Sequence, residues 1–499
     1  MTVLAGAPVP VDVPAALYIA GEWRPSRGGA VIDVENPATE EVIAQVPDGA
    51  KQDVDDAVAA ARAALPGWSA ADRGERVRYL RLMRKALAAR REEFAQVITA
   101  EMGAPLTFSR TIQTGMALRA LGTLIDELAA PDNPEHIGNC AVYHEPAGVV
   151  GAIAPWNYPL GQAVAKVATS LAAGCTVVLK PSELAPLSPA LFTRLAHEIG
   201  LPPGVLNLVT GRGPGAGQAL ADHAGVDMIS FTGSTATGRQ VAASAAATVK
   251  KVTLELGGKS ASVILPGADL RAAVADTVAN CFMNAGQSCT ALSRMLVHEP
   301  EYDAALALAA ESAAGYPVGD PLDPATHLGP LVSARQRQRV LGYIRRGLSD
   351  GACLVNGARL VNGASLTADG QDTAGRPARG HFVAPAIFRD VHPDSALAQE
   401  EIFGPVLCVL PYRDEREAIE IANNSIYGLA AEVWSLDVER AAAVARRLRA
   451  GRVNVNGAPS NPAAPFGGMK QSGVGRELGR YGLAEFQEVK AIHFPEQRT

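Results

Sequence analysis

The 499-residue sequence predicts an α/β fold with more than one domain. The first observation is a block at residues 148–257, in which five short apolar runs alternate with four amphipathic segments. The second is another alternating block that follows Gly258, and the third is length, since one hydrophobic core rarely grows beyond about 250–300 residues. Because strands joined through helices make right-handed crossovers, the pattern predicts parallel sheets, whose ligands bind beyond the carboxyl ends of the strands.

The elements can be placed in chain order. A hairpin arm at 16–23 precedes two helical segments at 53–65 and 75–102. The first block has predicted strands at 149–154, 176–180, 205–209, 228–231 and 251–256, with helices at 162–171, 189–199, 216–223 and 235–246. The second block has predicted helices at 270–283, 301–313, 334–347, 415–422 and 438–450, with strands at 295–297, 406–410, 429–434 and 453–455. Residues 363–380, rich in Gly, Ala and Asp, are predicted to form a long exposed loop.

Composition excludes several classes of protein. With 48% hydrophobic and 19% charged residues, the chain has the composition of a globular protein. A net charge of −6 without a long Lys/Arg run argues against a nucleic-acid partner or an anionic membrane. Six cysteines without a CxxC pair or a His-Cys cluster predict no metal and a reducing, cytoplasmic location. Prolines and an aspartate near the N-terminus argue against a signal peptide.

Cys289 and Glu255 are the candidate catalytic residues. Cys289 follows Gly-Gln-Ser after an apolar helix, and a cysteine among free backbone N–H groups is expected to have a lowered pKa and a nucleophilic thiolate. Glu255 points away from the apolar face of its strand, where its carboxylate could take a proton from water. On these residues alone, an inert buried thiol and a solvated surface carboxylate remain alternatives.

Three further segments follow predicted strands. Asn157, in Pro-Trp-Asn-Tyr-Pro, could donate to an oxyanion or could simply hold a turn. Glu183, just after the strand that ends at Lys180, could accept hydrogen bonds from both hydroxyls of a ribose, which would disfavour a 2′-phosphate. The stretch from Gly233 to Gly238 opens a helix whose N–H groups suit a pyrophosphate, although it is not a GxGxxG fingerprint.

Together these segments resemble the NAD(P)-dependent aldehyde dehydrogenase superfamily along nearly the whole chain. Eight motifs occur in that family's order: Leu17-Tyr-Ile-Ala-Gly-Glu-Trp23, Pro155-Trp-Asn-Tyr-Pro159, Lys180-Pro-Ser-Glu183, Phe231-Thr-Gly-Ser234, Glu255-Leu-Gly-Gly-Lys-Ser260, Gly286-Gln-Ser-Cys289, Glu401-Ile-Phe-Gly-Pro405 and Pro465-Phe-Gly-Gly468. The resemblance implies a Rossmann-like parallel-sheet cofactor domain, an α/β catalytic domain and a small β oligomerisation arm.

The resemblance also implies oxidation of an aldehyde to a carboxylate, with NAD as the cofactor and NADP possible. Cys289 would form a thiohemiacetal whose oxyanion Asn157 and the Cys289 N–H hold, and Glu255 would activate the water that hydrolyses the later thioester. Lys166 and Glu477 match residues that help to relay the proton. The implied cofactor-binding residues are Trp156, Lys180, Ser182, Glu183, Gly233, Ser234, Gly238, Leu256, Glu401 and Phe403.

The domains expected from the resemblance are discontinuous. Residues 1–130 and 150–257 would form the NAD-binding domain, and residues 258–455 the catalytic domain. Residues 131–149 and 480–499 would pair with a neighbouring subunit, which predicts a homodimer or homotetramer. The loop between Asn362 and His381 is longer than is usual for the family.

Three alternatives stay open on the sequence. A CoA-acylating relative would use the same thiol but typically lacks a general-base glutamate such as Glu255. An inactive binding or structural relative on the same fold would not need Cys289, Glu255 and Asn157. A serine or metal hydrolase has little support, because the sequence contains neither GxSxG nor HExxH.

The substrate is predicted only as a class. Small residues at Ala165 and Ser460 leave room for a bulky or aromatic aldehyde in preference to acetaldehyde. No arginine stands beside Cys289 in the sequence to bind a substrate carboxylate, although a distant one could fold in. Further candidate pocket residues, chosen by proximity to the motifs, are Tyr158, Gln162, Met283, Ser288, Thr290 and Phe466.

Overall fold

The computed structural model describes residues 16–130, 134–355 and 379–495. In chain order its strands are β1 (Leu17–Ile19), β2 (Glu22–Arg24), β3 (Val31–Asn36), β4 (Glu41–Pro47), β5 (Glu135–Ile137), β6 (Cys140–Pro146), β7 (Val149–Ile153), β8 (Thr176–Lys180), β9 (Leu206–Leu208), β10 (Met228–Thr232), β11 (Lys251–Glu255), β12 (Ala261–Ile264), β13 (Arg294–His298), β14 (Cys353–Leu354), β15 (Ala386–Arg389), β16 (Val406–Tyr412), β17 (Ala430–Trp434), β18 (Arg452–Val455), β19 (Gly473–Val474) and β20 (Gln487–His493).

The helices occupy most of the connections between these strands. The α-helices are Lys51–Ser69, Arg73–Ala89, Arg91–Met102, Leu106–Phe108, Thr114–Ala129, Pro159–Ala173, Leu187–Glu198, Gln218–Asp222, Thr235–Ala246, Leu270–Phe282, Tyr302–Ala314, Ala334–Ser349, Ala396–Gln399, Glu415–Asn423, Val438–Ala445 and Gly479–Glu485. None of the helices in the described ranges has the length and apolar character needed to cross a membrane.

The first large sheet has the order β19-β11-β10-β7-β8-β9-β1-β2, in which β7 to β11 run parallel. The predicted parallel sheet is therefore confirmed, and the predicted hairpin arm adds β1 and β2 at one edge. Strands β7 and β8 are buried along their whole length because helices cover both faces of the sheet. The connections from β7 and from β10 lead to opposite sides, so a crevice forms where these neighbouring strands end.

The second large sheet has the order β14-β15-β16-β13-β12-β17-β18 and is parallel apart from β14. Each large sheet is packed in its own cluster of buried apolar residues. The structure thus confirms two α/β units, each built on its own mostly parallel sheet. The proposed domain boundaries stay a prediction. The predicted loop at 363–380 lies outside the described residues except for its last two positions.

A small sheet joins two distant parts of the chain. Strand β20 pairs antiparallel with β6, and β6 pairs with β5. These strands belong to the two segments predicted to form an oligomerisation arm, of which residues 131–133 and 496–499 lie outside the described part of the chain.

One predicted helix is interrupted. The segment predicted at 75–102 consists of two helices that meet at Arg90. No glycine or proline marks the break in the sequence, so the periodicity did not reveal it. Instead, the Arg90 side chain is held by Glu93 at 2.7 Å and by Glu198 at 2.8 Å.

Candidate active site

A cavity of about 940 Å³ opens beyond the carboxyl ends of β7, β8 and β10. Its wall combines the ends of these strands, the first turn of the helix Thr235–Ala246, and loops of the second sheet. Most of the predicted site residues line it: Trp156, Asn157, Lys180, Ser182, Glu183, Gly233, Ser234, Leu256, Cys289, Glu401 and Phe403. Glu255, Lys166, Glu477 and Gly238 do not line the cavity but contact residues around it, as described below.

Cys289 lies on a tight turn after the helix Leu270–Phe282. Gly286 has a φ of +72°, and a Cβ there would lie 2.1 Å from the Gly404 carbonyl carbon, so this position requires glycine. Gln287 fixes the turn to a second loop, because its Oε1 accepts a hydrogen bond from the Val332 N–H at 2.9 Å. The thiol is therefore held in place, and Cys289 is only partly exposed.

The pKa of the Cys289 thiol is raised to about 12. Desolvation is the largest cause, and the charges of Glu401 and Glu255 raise the pKa further, whereas Arg452 and the Cys289 backbone N–H lower it. The expected lowering of the pKa is thus wrong for this structure, because burial and two carboxylates from distant positions outweigh the N–H group. Cys289 needs a base to become a nucleophile.

Asn157 is buried beside the same turn. Its side-chain Nδ2 donates to the Gln287 backbone carbonyl at 3.0 Å. The backbone carbonyl of Asn157 accepts hydrogen bonds from Gln113 Nε2 and Asn284 Nδ2, each at 3.0 Å. Gln287 is two residues before Cys289, so these bonds fix the amide next to the nucleophile loop. An amide nitrogen carries two protons, and the bond to Gln287 uses one of them.

Glu255 ends β11 and is 4% exposed, so the alternative of a solvated surface carboxylate is wrong. A Cβ on Gly258 would lie 2.3 Å from the Cys289 carbonyl oxygen, which shows how closely the end of β11 approaches the nucleophile loop. Glu255 Oε2 is buried and has no hydrogen-bond partner among the described residues. Desolvation and the charge of Glu477 raise the pKa of Glu255 well above its usual range, against the opposing charge of Lys166.

Lys166 and Glu477 form a buried ion pair close to Glu255. The distance from Lys166 Nζ to Glu477 Oε1 is 2.6 Å, and Nζ also donates to Ser230 Oγ at 3.3 Å. Glu477 is fixed by its backbone, which exchanges hydrogen bonds of 2.8 and 2.7 Å with Phe466. The structure therefore brings together all three members of the predicted proton relay.

The segment after β8 supplies a charged pair to the cavity. Lys180 Nζ lies 3.2 Å from Glu183 Oε2, and burial lowers the pKa of Lys180. Ser182 Oγ accepts a hydrogen bond from the Leu184 N–H at 3.2 Å and so shapes the turn between them. An ammonium and a carboxylate at one edge of a cavity suit the hydroxyl groups of a ribose.

The segment after β10 supplies a helix N-terminus. Ser234 caps the helix by accepting a hydrogen bond from the Thr237 N–H at 3.2 Å. A Cβ on Gly238 would lie 2.3 Å from Leu256 Cδ2, so glycine permits the close packing of this helix on the end of β11. The positive end of the helix faces the cavity beside Gly233, an arrangement that suits a pyrophosphate.

Glu401 and Phe403 approach from the second sheet. Glu401 Oε1 accepts a hydrogen bond from the Gly258 N–H at 3.0 Å, and burial raises the pKa of Glu401 to about 7. The Phe403 ring meets Trp156 edge to face, with centroids 5.3 Å apart. Together with the ribose and pyrophosphate positions, these residues fit a dinucleotide that extends through the cavity toward Cys289.

Part of the cavity wall comes from residues outside the sequence motifs. Arg335, Gln336 and Arg339 line the cavity from the helix Ala334–Ser349, and Gln336 Nε2 donates to the Phe403 carbonyl at 2.8 Å. The sequence predicts this helix at 334–347 but assigns it no role, because it lies outside all eight motifs. Arg452 is not part of this wall, but its charge acts on Cys289, and the sequence left open that a distant arginine folds toward that residue.

The sequence matches a known protein family along most of its length. The family model described as the aldehyde dehydrogenase family matches residues 23–492. The chain belongs to the aldehyde dehydrogenase family. A 3-succinoylsemialdehyde-pyridine dehydrogenase of a Pseudomonas species is 47% identical over 479 residues, which cover 95% of this chain and 97% of that relative.

Solved aldehyde dehydrogenase structures share the fold of this chain. Aldehyde dehydrogenase C of Pseudomonas syringae, in a complex with NAD+ and octanal, has a TM-score of 0.92 and 45% identity, and the match covers 98% of this chain and 99% of that one. The NAD+ complex of a Bacillus cereus aldehyde dehydrogenase has a TM-score of 0.91 and 38% identity, with 98% of each chain covered. This aldehyde dehydrogenase is therefore an NAD-dependent oxidoreductase that oxidises aldehydes, which confirms the predicted activity and cofactor.

Proposed function

We propose that this aldehyde dehydrogenase converts a bulky aliphatic or aromatic aldehyde to its carboxylate through a thioester on Cys289. The observation that carries the proposal is the convergence of Cys289 with the Asn157 amide and the Glu255 carboxylate at a cavity that fits a dinucleotide. Nucleophile, oxyanion donor and base then act on one carbonyl group.

The first step begins with the proton on the thiol. The raised pKa of the Cys289 thiol means that it needs a base, and the raised pKa of Glu255 makes its carboxylate a stronger acceptor for this proton, directly or through water. The sulfur then bonds to the aldehyde carbon, and the carbonyl oxygen becomes an oxyanion. The remaining Nδ2 proton of Asn157 and the Cys289 backbone N–H stabilise that charge.

The hydride that this carbon loses would pass to NAD when that cofactor is bound, and a thioester would remain on Cys289. Lys180 and Glu183 would hold the adenosine ribose of NAD, and Ser234 and its helix would hold the pyrophosphate. Glu401, held by the Gly258 N–H, would bind the second ribose.

After the thiol proton has left Glu255 through the Lys166–Glu477 pair, the free carboxylate activates the water that hydrolyses the thioester. It takes one proton from the water as the oxygen bonds to the acyl carbon, the C–S bond breaks, and the carboxylic product leaves a free sulfur at Cys289. Lys166 and Glu477 carry the proton away from Glu255, since the buried pair lies within electrostatic reach of that carboxyl.

The size of the substrate can be tested directly. We expect kcat/KM to be at least about tenfold higher for octanal and benzaldehyde than for acetaldehyde, because each buried methylene contributes about 0.8 kcal/mol. The relatives that act on 3-succinoylsemialdehyde-pyridine and bind octanal support this class. NADH formation at 340 nm measures the series, and a preference for aldehydes of two or three carbons would contradict the proposal.

The choice of NAD over NADP is assigned to Glu183. Replacing Glu183 with serine removes the carboxylate that repels a 2′-phosphate, so the ratio of kcat/KM for NAD to that for NADP should fall about tenfold or more. The variant Glu198→Ser changes an exposed glutamate on the helix Leu187–Glu198 and serves as the control. A wild-type enzyme that already favours NADP would overturn this assignment.

We further infer a homodimer or homotetramer built through the sheet β20-β6-β5. Its strands expose apolar side chains, including Ile137, Val489 and Ile492, which a neighbouring subunit can cover. Light scattering at micromolar concentration should give two or four times 51.8 kDa, and a monomer would contradict the inference.

A cytoplasmic location remains part of the proposal. Its support is that all six cysteines are free thiols, which suits a reducing compartment.

A further inference from the structure

Arg452 lies closer to the reaction centre than its position in the second sheet suggests. It begins β18, directly after Gly451. A Cβ on Gly451 would lie 1.7 Å from the Gly467 carbonyl oxygen, and a Cβ on Gly467 would lie 2.7 Å from Glu255 Oε1. The backbone of Gly467 therefore lies between the start of β18 and the Glu255 carboxylate.

The guanidinium group points toward the same centre. Its Cζ lies 5.8 Å from the centroid of the Phe466 ring, and the Phe466 backbone is paired with Glu477. Its charge reaches the nucleophile, because Arg452 lowers the pKa of Cys289 against the larger effects of desolvation and of the nearby carboxylates. A cation beside an aromatic face at the edge of a reaction site is well placed to meet a substrate.

Arg452 has no polar partner among the described residues. Its Nε is buried without a hydrogen bond, and none of the ion pairs or side-chain hydrogen bonds between described residues includes its guanidinium. Arg294 provides the contrast within the same sheet, since its Nε, Nη1 and Nη2 donate to three backbone carbonyls at 3.0, 2.9 and 2.8 Å. A structural arginine is thus fully bonded here, and Arg452 is not.

The neighbouring acidic groups do not neutralise Arg452. Cys289 and Glu432 are the groups whose charges act on it. The pKa of Cys289 is raised, and desolvation together with a hydrogen bond to Asp276 raises the pKa of Glu432, so both hold their protons more strongly than usual. Arg452 is only partly exposed and its Nε has no partner in the described part of the chain, so a ligand that supplies an acceptor would satisfy this donor.

We propose that Arg452 binds an acceptor oxygen, from a carboxylate or a ketone, on the chain of the aldehyde substrate and so determines specificity. The inference rests on the proposed function and narrows its substrate class from bulky aldehydes to aldehydes that also carry a carboxylate or a ketone. A carboxylate is the stronger ligand, because it can pair with the planar guanidinium through two hydrogen bonds. Arg452 would act by positioning the aldehyde on Cys289, with no part in proton transfer.

The test compares matched aldehydes of four to eight carbons. Each length has an unsubstituted aldehyde, an ω-oxocarboxylate and a ketone-bearing aldehyde, and each is measured with the wild type, Arg452→Met, Arg452→Lys and the exposed-arginine control Arg413→Met. We expect the wild type to favour at least one acceptor-bearing series by tenfold or more in kcat/KM. Arg452→Met should lower that preference about 10- to 100-fold, mainly through KM, as expected for hydrogen bonds to a charged group.

The ratio between matched aldehydes separates this role from others. Arg452→Lys should keep part of the preference for ω-oxocarboxylates and lose that for ketones, because an ammonium ion lacks the planar fork. Equal losses for plain and acceptor-bearing aldehydes in Arg452→Met, or a wild type indifferent to the acceptor, would overturn the proposal. If no aldehyde of any series produced NADH, the proposed function itself would have failed.

Discussion

Replacing Cys289 with alanine is expected to abolish NADH formation with every aldehyde, a loss of at least about 10⁴-fold in kcat. The reason is that the thiol supplies the bond that turns a planar carbonyl into a hydride donor, and none of the groups around it can replace that bond. The nearby oxygen nucleophiles are poor substitutes, since Ser288 Oγ is held by Tyr158 at 2.5 Å. NADH absorbance measures this loss, and mass spectrometry should detect no acyl adduct on the variant.

The matched control removes a different thiol. Cys353 is exposed on β14, outside the cavity wall, so Cys353→Ala should keep wild-type activity. NAD binding, followed by quenching of intrinsic fluorescence, should persist in Cys289→Ala, because the ribose and pyrophosphate positions are unchanged. A Cys289→Ala variant that oxidises aldehydes at rates near the wild type would remove the basis of the mechanism.

The parallel sheet could be predicted because its strands are apolar on both faces. Strands β7 and β8 read as continuous apolar runs, and turn residues separate them from helices. Strand β12 is only four residues long and follows a glycine-rich turn, so it gave no such signal. The sequence did not predict β12, β3 or β4. Residues at the carboxyl ends of β7, β8 and β10 were placed correctly at the cavity because parallel strands end at one edge.

The electrostatics of the site could not be predicted from local sequence. The polar setting of Cys289 indicated a lowered pKa, but burial and the charges of Glu401 and Glu255 reverse the direction. Lys166 and Glu477 meet across 311 positions, and only the family resemblance pointed to that pair. Arg452 is 163 positions from Cys289 and lies in no motif, so only the fold could reveal it.

Replacing Glu255 with glutamine is expected to separate the two halves of the reaction. Thiohemiacetal formation and hydride loss should still produce about one NADH per active site, although the reduced supply of a base for the thiol will slow this burst. Hydrolysis of the thioester should fall about 10²- to 10⁴-fold, because an amide cannot accept the proton of water. Rapid-mixing absorbance measures the burst, and Glu420→Gln, at an exposed surface ion pair, is the control.

The pH dependence follows from the direction of the Glu255 pKa. Only the deprotonated carboxylate can accept a proton, and desolvation together with Glu477 raises its pKa well above 4.5. Steady-state turnover of the wild type should therefore fall as pH decreases through that raised pKa, at a pH far above the normal titration of a glutamate. In Glu255→Gln this acid limb should disappear from the slow phase, because no carboxylate titrates there. A slow phase that keeps the wild-type limb would assign the titration to another group, and Glu401, whose pKa is raised to about 7, is the one that Glu401→Gln would then test.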